Sequence, residues 1–167
     1  SDMELKVPEA KGRKYPMATK KNKNPLGNGF VSGVGSIEDS TLASMLRGYK
    51  SRVAGGYRAL TKEDIKSAIS PGKHLVSPKV DGELWFLIME GKDHWFGNPN
   101  GRIISGDIPL LKEAATLSNR FHDRTVLAGE LFAVGKNDRA RVGDLRSAMG
   151  GGKKADVDRL GFMAFDL

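Results

Sequence analysis

The chain has 167 residues, of which 39% are hydrophobic and 28% charged, the composition of one folded domain rather than of a disordered or fibrous protein. It contains no cysteine, which excludes disulfides, thiolate metal sites and cysteine nucleophiles. Lysine and arginine number 27 against 20 acidic residues, a net charge of +7, so a polyanionic partner such as nucleic acid or nucleotide is expected.

The positive excess is concentrated near the start. Lys11, Arg13, Lys14, Lys20, Lys21 and Lys23 follow one another with no acid between Lys11 and Asn24. This segment is either a solvated basic arm or one that tracks phosphates and whose binding weakens steeply with salt. Ser1-Asp2 ahead of Met3 has the look of a remnant of tag removal. From there to about Ser36, Pro8, Pro16, Pro25 and the glycines around Asn28 interrupt any periodic pattern, which predicts an extended arm over residues 1–36 and a domain over 37–167. The longest apolar run, Leu84 to Met89, falls far short of the roughly 20 residues a membrane span requires, and no signal-peptide pattern opens the chain. A cytoplasmic monomer without membrane contact is the expectation.

Ser36 followed by Glu38 and Asp39 predicts a helix start, and Leu42, Met45, Leu46 and Tyr49 recur at helical spacing to about Val53, where Gly55-Gly56 ends the pattern. Thr61 before Lys62-Glu63-Asp64 predicts a second, short helix with Ile65, Ala68 and Ile69 on one face, stopped by Pro71-Gly72. Beyond Gly72 the period changes to that of strands: His74 to Val80, Glu83 to Met89, and, after a turn at Gly91-Lys92-Asp93, His94 to Phe96. A helix is predicted over 110–119 after Pro109, a strand from Thr125 to Val134, and a last strand from Gly161 to Leu167. The class is α+β with an antiparallel sheet. Asp138 to Lys154, rich in basic residues and glycine, is expected to be a mobile basic loop with a short helix at Val142 to Met149.

The chemistry centres on Ser77-Pro78-Lys79-Val80-Asp81-Gly82-Glu83, where a lysine stands immediately before an Asp-Gly turn. An amine is a nucleophile only when deprotonated, so a reactive lysine needs burial, neighbouring cations or a metal to favour its neutral form. The bland alternative is a surface lysine before an ordinary hairpin turn. Three further segments follow. Asn98-Pro99-Asn100-Gly101-Arg102 is a polar turn from which Arg102 could reach a phosphate or ribose. Val126 to Val134 carries one charge, Glu130, in an apolar run beside Gly129, whose missing side chain permits close approach. That carboxylate is either an edge-strand charge opposing aggregation or an acceptor for a ribose hydroxyl or hydrated magnesium. In Gly161 to Leu167, strict alternation puts Met163 and Phe165 on one face and Phe162 on the other, so either aromatic could stack on a base or pack in the core. His74, His94 and His122 lack metal-ligand spacing, and the glycines near the start do not complete a phosphate loop.

In this order the segments resemble the covalent nucleotidyltransferases, which comprise ATP-dependent DNA ligases, RNA ligases and mRNA capping enzymes. Lys79-Val80-Asp81-Gly82 looks like the family's lysine motif, Asn100-Gly101-Arg102 approximates the next, Ala128-Gly129-Glu130-Leu131 resembles the glutamate motif, and Ala164-Phe165-Asp166-Leu167 the aromatic strand after it. The resemblance covers about 73–167 and is nearest to the adenylation domain of DNA ligases. It implies an α+β antiparallel-sheet nucleotidyltransferase domain in which Lys79 takes AMP from ATP and passes it to a 5′-phosphate at a nick in duplex DNA. It further implies that Val80, Arg102, Glu130 and Phe165 bind the nucleotide, with Phe165 on the adenine, and that Asp81 and Glu130 serve a magnesium ion. Three positions depart from the family pattern. Leu84 stands where an arginine is usual, with Arg102 as a possible substitute; Ser77 replaces a glutamate that reads the adenine amino group in some ligases; and Pro99 replaces an arginine. The chain also ends at Leu167 ahead of the later motifs, so a truncated adenylation domain is expected. The alternatives are an RNA ligase of the same superfamily and a nucleic-acid-binding module that has lost the chemistry.

Overall fold

The computed structural model describes residues 23–56, 59–74, 79–117, 120–121, 123–135 and 141–166. Their elements, in chain order, are β1 (Lys23–Leu26), β2 (Asn28–Ser32), α1 (Ser40–Ala54), α2 (Lys62–Ala68), β3 (Glu83–Glu90), β4 (Asp93–Gly97), β5 (Ile103–Asp107), α3 (Pro109–Ala115), β6 (Thr125–Ala133), α4 (Val142–Met149) and β7 (Leu160–Asp166). Two single turns of 3₁₀ helix, Gly152–Lys154 and Val157–Arg159, lie between α4 and β7. The class is α+β, as expected. The strands form one sheet of order β1-β2-β5-β4-β3-β6-β7, with every pairing antiparallel.

The centre of the sheet follows from the run Leu84 to Met89. A strand apolar at successive positions is stable only where both faces are covered, and β3 sits between β4 and β6 with a core on each side. Trp85, Leu87 and Met89 point into one core with Phe96, Ile104, Leu131 and the inner residues of α3 and α4. Phe86 and Ile88 point into the other, beneath Leu42, Leu46 and Tyr49 of α1. Burying a side chain of this size contributes about 1.5–3 kcal/mol, so neither face is stable without its helices.

Helix α1 starts later than its sequence suggests. The cap is Asp39, whose Oδ1 accepts from the Leu42 N–H at 3.1 Å, while Ser36 instead donates its hydroxyl to the Gly33 carbonyl at 2.7 Å. Asp39 is held by Arg124, a fully buried arginine whose guanidinium bonds the Asp39 carboxylate on one side and Glu90 Oε1, at 2.6 Å from Nε, on the other. Three distant points, the start of α1, the end of β3 and the entry to β6, are thereby joined.

Other expectations are corrected. Residues 23–32, predicted as part of an extended arm, form the β1–β2 hairpin and pair with β5, so the sheet begins at Lys23. Leu26 is fully buried, an apolar anchor that a free arm would not retain. In the basic segment after 138 the short helix forms at Val142–Met149 as predicted, and it is docked on the core rather than carried by a loose loop, with Leu145 and Ala148, three apart on α4, buried. Lys79 and Val80 lie in no strand. Helix α2 forms where predicted, under Thr61 as cap, but buries no residue and leaves Ile65 44% exposed. The arm over 1–22, Ser77, residues 118–119 at the end of the helix predicted over 110–119, His122, Arg139 and Leu167 lie outside the described residues.

Candidate functional site

The sheet's two faces separate the predicted site residues. On β6, Leu131 and Ala133 point to the α3–α4 core and Val126 and Ala128 to the α1 core, so alternation places Glu130 on the α1 face. Its partner across β3 is Leu84, which, like Met45 and Val53 of α1, packs against the core beneath that helix. Its partner across β7 is Met163. The core beneath α1 ends here, and Glu130, only partly buried, occupies its margin.

The chain entering β3 closes over this carboxylate. Gly82 N–H donates to Glu130 Oε1 at 3.2 Å, joining residues 48 apart in sequence. Only glycine permits this approach: a Cβ on Gly82 would stand 1.9 Å from the Leu131 carbonyl oxygen. Gly129 has a similar role on the other face, where a Cβ would meet the Phe162 ring at 2.5 Å. Both glycines therefore serve close packing of backbone rather than turn geometry.

Lys79 and Asp81 are exposed, and both charges act on Glu130. Burial pushes the Glu130 carboxyl above the ordinary glutamate range; the Gly82 N–H, Lys50 and Lys79 pull it back, and Asp81 pushes it further up. Lys50 belongs to α1. Sequence reasoning missed it, since the apolar stripe Leu42–Leu46–Tyr49 marks the buried side of the helix but not which exposed lysine beside it overlooks a site. The helix is anchored here by Tyr49, whose ring packs edge-on against Phe86 at 5.2 Å between centroids and whose hydroxyl donates to Asp166 Oδ2 at 2.9 Å.

Arg102 does not join this group. Its guanidinium lies 5.9 Å from the centroid of the Trp85 ring, and Trp85 belongs to the α3–α4 core. It therefore stands against the opposite face from Glu130 and is not a substitute for the arginine that Leu84 replaces. Val80 is half-buried beside Lys79. Phe165 is 52% exposed, but not by simple alternation. Ala164 pairs with Gly129 and Asp166 with Ala128, so Phe165 is the extra residue of a β-bulge and Asp166, not Phe165, follows Met163 on the α1 face. Phe162 packs into the core at 5.0 Å from Phe96, which removes it as a stacking candidate.

Among the described residues no group of three or more His, Asp or Glu side chains is placed to hold a metal ion. Glu130 and Asp81 are two carboxylates on one site, a donor set that suits magnesium, which takes one or two protein carboxylates together with substrate phosphates. The opposite face holds an apolar crevice of about 200 Å³ between α3 and the sheet, lined by Leu87, Phe96, Leu117, Leu127 and Phe162 with Glu113 at its margin. Among the described residues its lining holds no cation for an anionic ligand. Among the described residues no helix is long and apolar enough to cross a membrane. No protein-family profile matches the chain, and no curated protein or solved structure is significantly similar to it.

Proposed function

We propose that this chain carries the adenylation chemistry of an ATP-dependent DNA ligase, on a nucleotidyltransferase domain. The observation that carries the reading is the Gly82–Glu130 hydrogen bond, which brings the two most specific sequence segments, Lys79 to Gly82 and Gly129 to Leu131, onto one side of the sheet. A chance Lys-x-Asp-Gly string has no reason to close over the single charge of a distant apolar strand.

In this reading Lys79 Nζ attacks the α-phosphorus of ATP. A P–N bond forms, the bond from the α-phosphorus to the bridging oxygen breaks, pyrophosphate leaves with the electron pair, and the amine gives up a proton to solvent. The phosphoramidate then transfers AMP to a 5′-phosphate oxygen, releasing the lysine, and a 3′-hydroxyl displaces AMP to join the strands. Glu130 accepts from the ribose hydroxyls or takes part with Asp81 in holding magnesium, Val80 lines the nucleotide site, and Phe165 offers its exposed ring to the adenine. Magnesium, when bound, neutralises charge on the phosphate oxygens. Tension between burial and lysine charge at Glu130 suits a group that must be ionised to work yet sits at the edge of an apolar core.

Exchange of labelled pyrophosphate into ATP tests the first step, and a gel assay on nicked duplexes tests the rest. The reading expects exchange that is lost in Lys79→Ala, and sealing of nicked DNA in preference to nicked RNA. Preferential sealing of RNA would make the chain an RNA ligase; nucleic acid binding without exchange in either form would make it a binding module.

A further inference from the structure

The β1 edge of the sheet collects lysines from opposite ends of the sequence. Gly27, in the turn after β1, donates its N–H to the Gly152 carbonyl at 2.8 Å, and a Cβ on Gly152 would stand 4.0 Å from the Pro25 carbonyl oxygen. The 3₁₀ turn Gly152–Lys154 therefore lies directly against β1. It is fixed on its other side by Ala155, buried in the α3–α4 core, and by the Asp156 N–H, which donates to the Ala148 carbonyl at 2.9 Å. Lys153 and Lys154 stand exposed between these two attachments. On β1, Lys23 lies two strand residues, about 7 Å, from Pro25, and its ammonium is held 4.2 Å from the centroid of the Phe30 ring on β2. Leu26 points into the α3–α4 core, so alternation puts Lys23 on the α1 face, and the patch wraps around the edge of the sheet.

None of these three lysines forms an ion pair among the described residues. Of the two acids between Lys154 and β7, Asp156 lies 3.8 Å from Arg159, which leaves Asp158. The run of Lys11, Arg13, Lys14, Lys20 and Lys21 joins the sheet at this same strand. Lysine and proline on an edge strand deter pairing with another chain, which accounts for Lys23 and Pro25 but not for a second pair of lysines packed against that strand. We propose that the β1 edge is a docking surface for duplex DNA, on which Lys23, Lys153 and Lys154 contact backbone phosphates. A duplex offers one negative charge per roughly 1.7 Å of its axis, whereas single-strand binding relies on open aromatic rings, and Phe30 at this edge already carries the Lys23 ammonium. In the strand order β1 and β6 are five spacings apart, about 24 Å, so a nick held near Glu130 would have its flanking phosphates on this edge. The choice of a nicked duplex rests on the adenylation reading; the placement of the charges does not.

The test is binding of a labelled nicked DNA duplex to the full chain, followed by fluorescence anisotropy between about 50 and 200 mM salt. Each phosphate contact contributes about 0.9 to the slope of log affinity against log salt, so Lys23→Ala, Lys153→Ala and Lys154→Ala combined should weaken binding and lower that slope by about 2–3. Lys62→Ala, Lys66→Ala and Lys92→Ala combined remove the same charge from α2 and the β3–β4 turn, and should lower it by less than about 1. Replacing Lys153 and Lys154 by glutamate should deepen the loss. Equal slopes in the two triple variants would overturn the surface, as would wild-type protein that binds anionic lipid vesicles but no duplex. Pyrophosphate exchange by wild-type protein separates this result from the adenylation reading: exchange without duplex binding overturns the surface alone, and lysine-dependent duplex binding without exchange supports the surface while overturning that reading.

Discussion

Gly82→Ala is the sharpest perturbation of the site, because it adds one carbon and nothing else. The new Cβ would lie 1.9 Å from the Leu131 carbonyl oxygen, against the 3.0 Å that real Cβ contacts respect, and the obstacle is backbone rather than a side chain that can rotate away. The start of β3 must therefore move from β6 by about 1 Å, which stretches the 3.2 Å Gly82–Glu130 bond beyond hydrogen-bonding range. Overpacking of this kind costs about 1–3 kcal/mol and a hydrogen bond to a carboxylate contributes about 1.5–3 kcal/mol, reduced here because the group is partly solvated. A loss of about 2–4 kcal/mol is expected, or roughly 5–15 °C in Tm at about 2–4 °C per kcal/mol for a chain of this size. Because the same movement displaces Lys79 and Asp81, pyrophosphate exchange should fall by about a hundredfold, the penalty of an ångström's misplacement. Gly55→Ala is the control: nothing lies within 4 Å of its Cβ position and its φ of −67° suits any residue, so it should leave Tm unchanged or raise it. Calorimetric scans and exchange assays on the two variants decide the matter. Gly82→Ala with wild-type Tm and wild-type exchange would refute the account of how the site is closed.

Three further outcomes are expected. Arg124→Ala leaves the buried carboxylates of Asp39 and Glu90 without their shared cation and should cost about 3–5 kcal/mol in urea denaturation; a loss under 1 kcal/mol would contradict the role given to this joint. Because the folded Glu130 carboxyl titrates above its unfolded value, the folded state holds the extra proton between the two, so the Glu130 contribution to stability should fall as pH rises through that window and be level above it, against the opposite slope from His94, which burial holds below the ordinary histidine range. In Glu130→Gln, which keeps an oxygen for the Gly82 N–H, that contribution should vanish; identical slopes in denaturation midpoints across pH 4 to 7 would count against the raised value. Phe165→Ala, at a half-exposed bulge, should change stability by less than about 1 kcal/mol yet weaken ATP binding by the roughly 1–3 kcal/mol of one stacked base, and unchanged affinity would remove Phe165 from the site.

Much of the frame was legible in advance because it depends on periodicity. The stripe Leu42–Leu46–Tyr49 and the continuous apolar run of β3 each have one stable use, and the structure puts them to it. What stayed hidden depends on contacts between distant segments. Pro25 and Gly27 argued for irregular chain, yet the burial of Leu26 and the pairing of β2 with β5 dock the hairpin on the sheet. Asp39 won the cap over Ser36 because Arg124, 85 residues away, fixes it. The bulge at Phe165 reverses the expected alternation, and no local pattern announces it, since it arises from the Ala128–Gly129 register on the neighbouring strand. Arg102 was assigned by its place in a motif, whereas its side is set by the Trp85 ring beneath it. Lys50 was invisible for the same reason: the fold, and not the residues around it in sequence, makes its charge felt at Glu130.

The central claim is that Lys79 becomes covalently adenylylated. Incubation with magnesium and ATP, followed by intact mass and peptide mapping, tests it most directly. The account predicts the added mass of one AMP on the peptide containing Lys79, absent in Lys79→Ala and removed when pyrophosphate is added back. An adduct that persists in Lys79→Ala, or a wild-type protein that remains unmodified at saturating ATP, would contradict it.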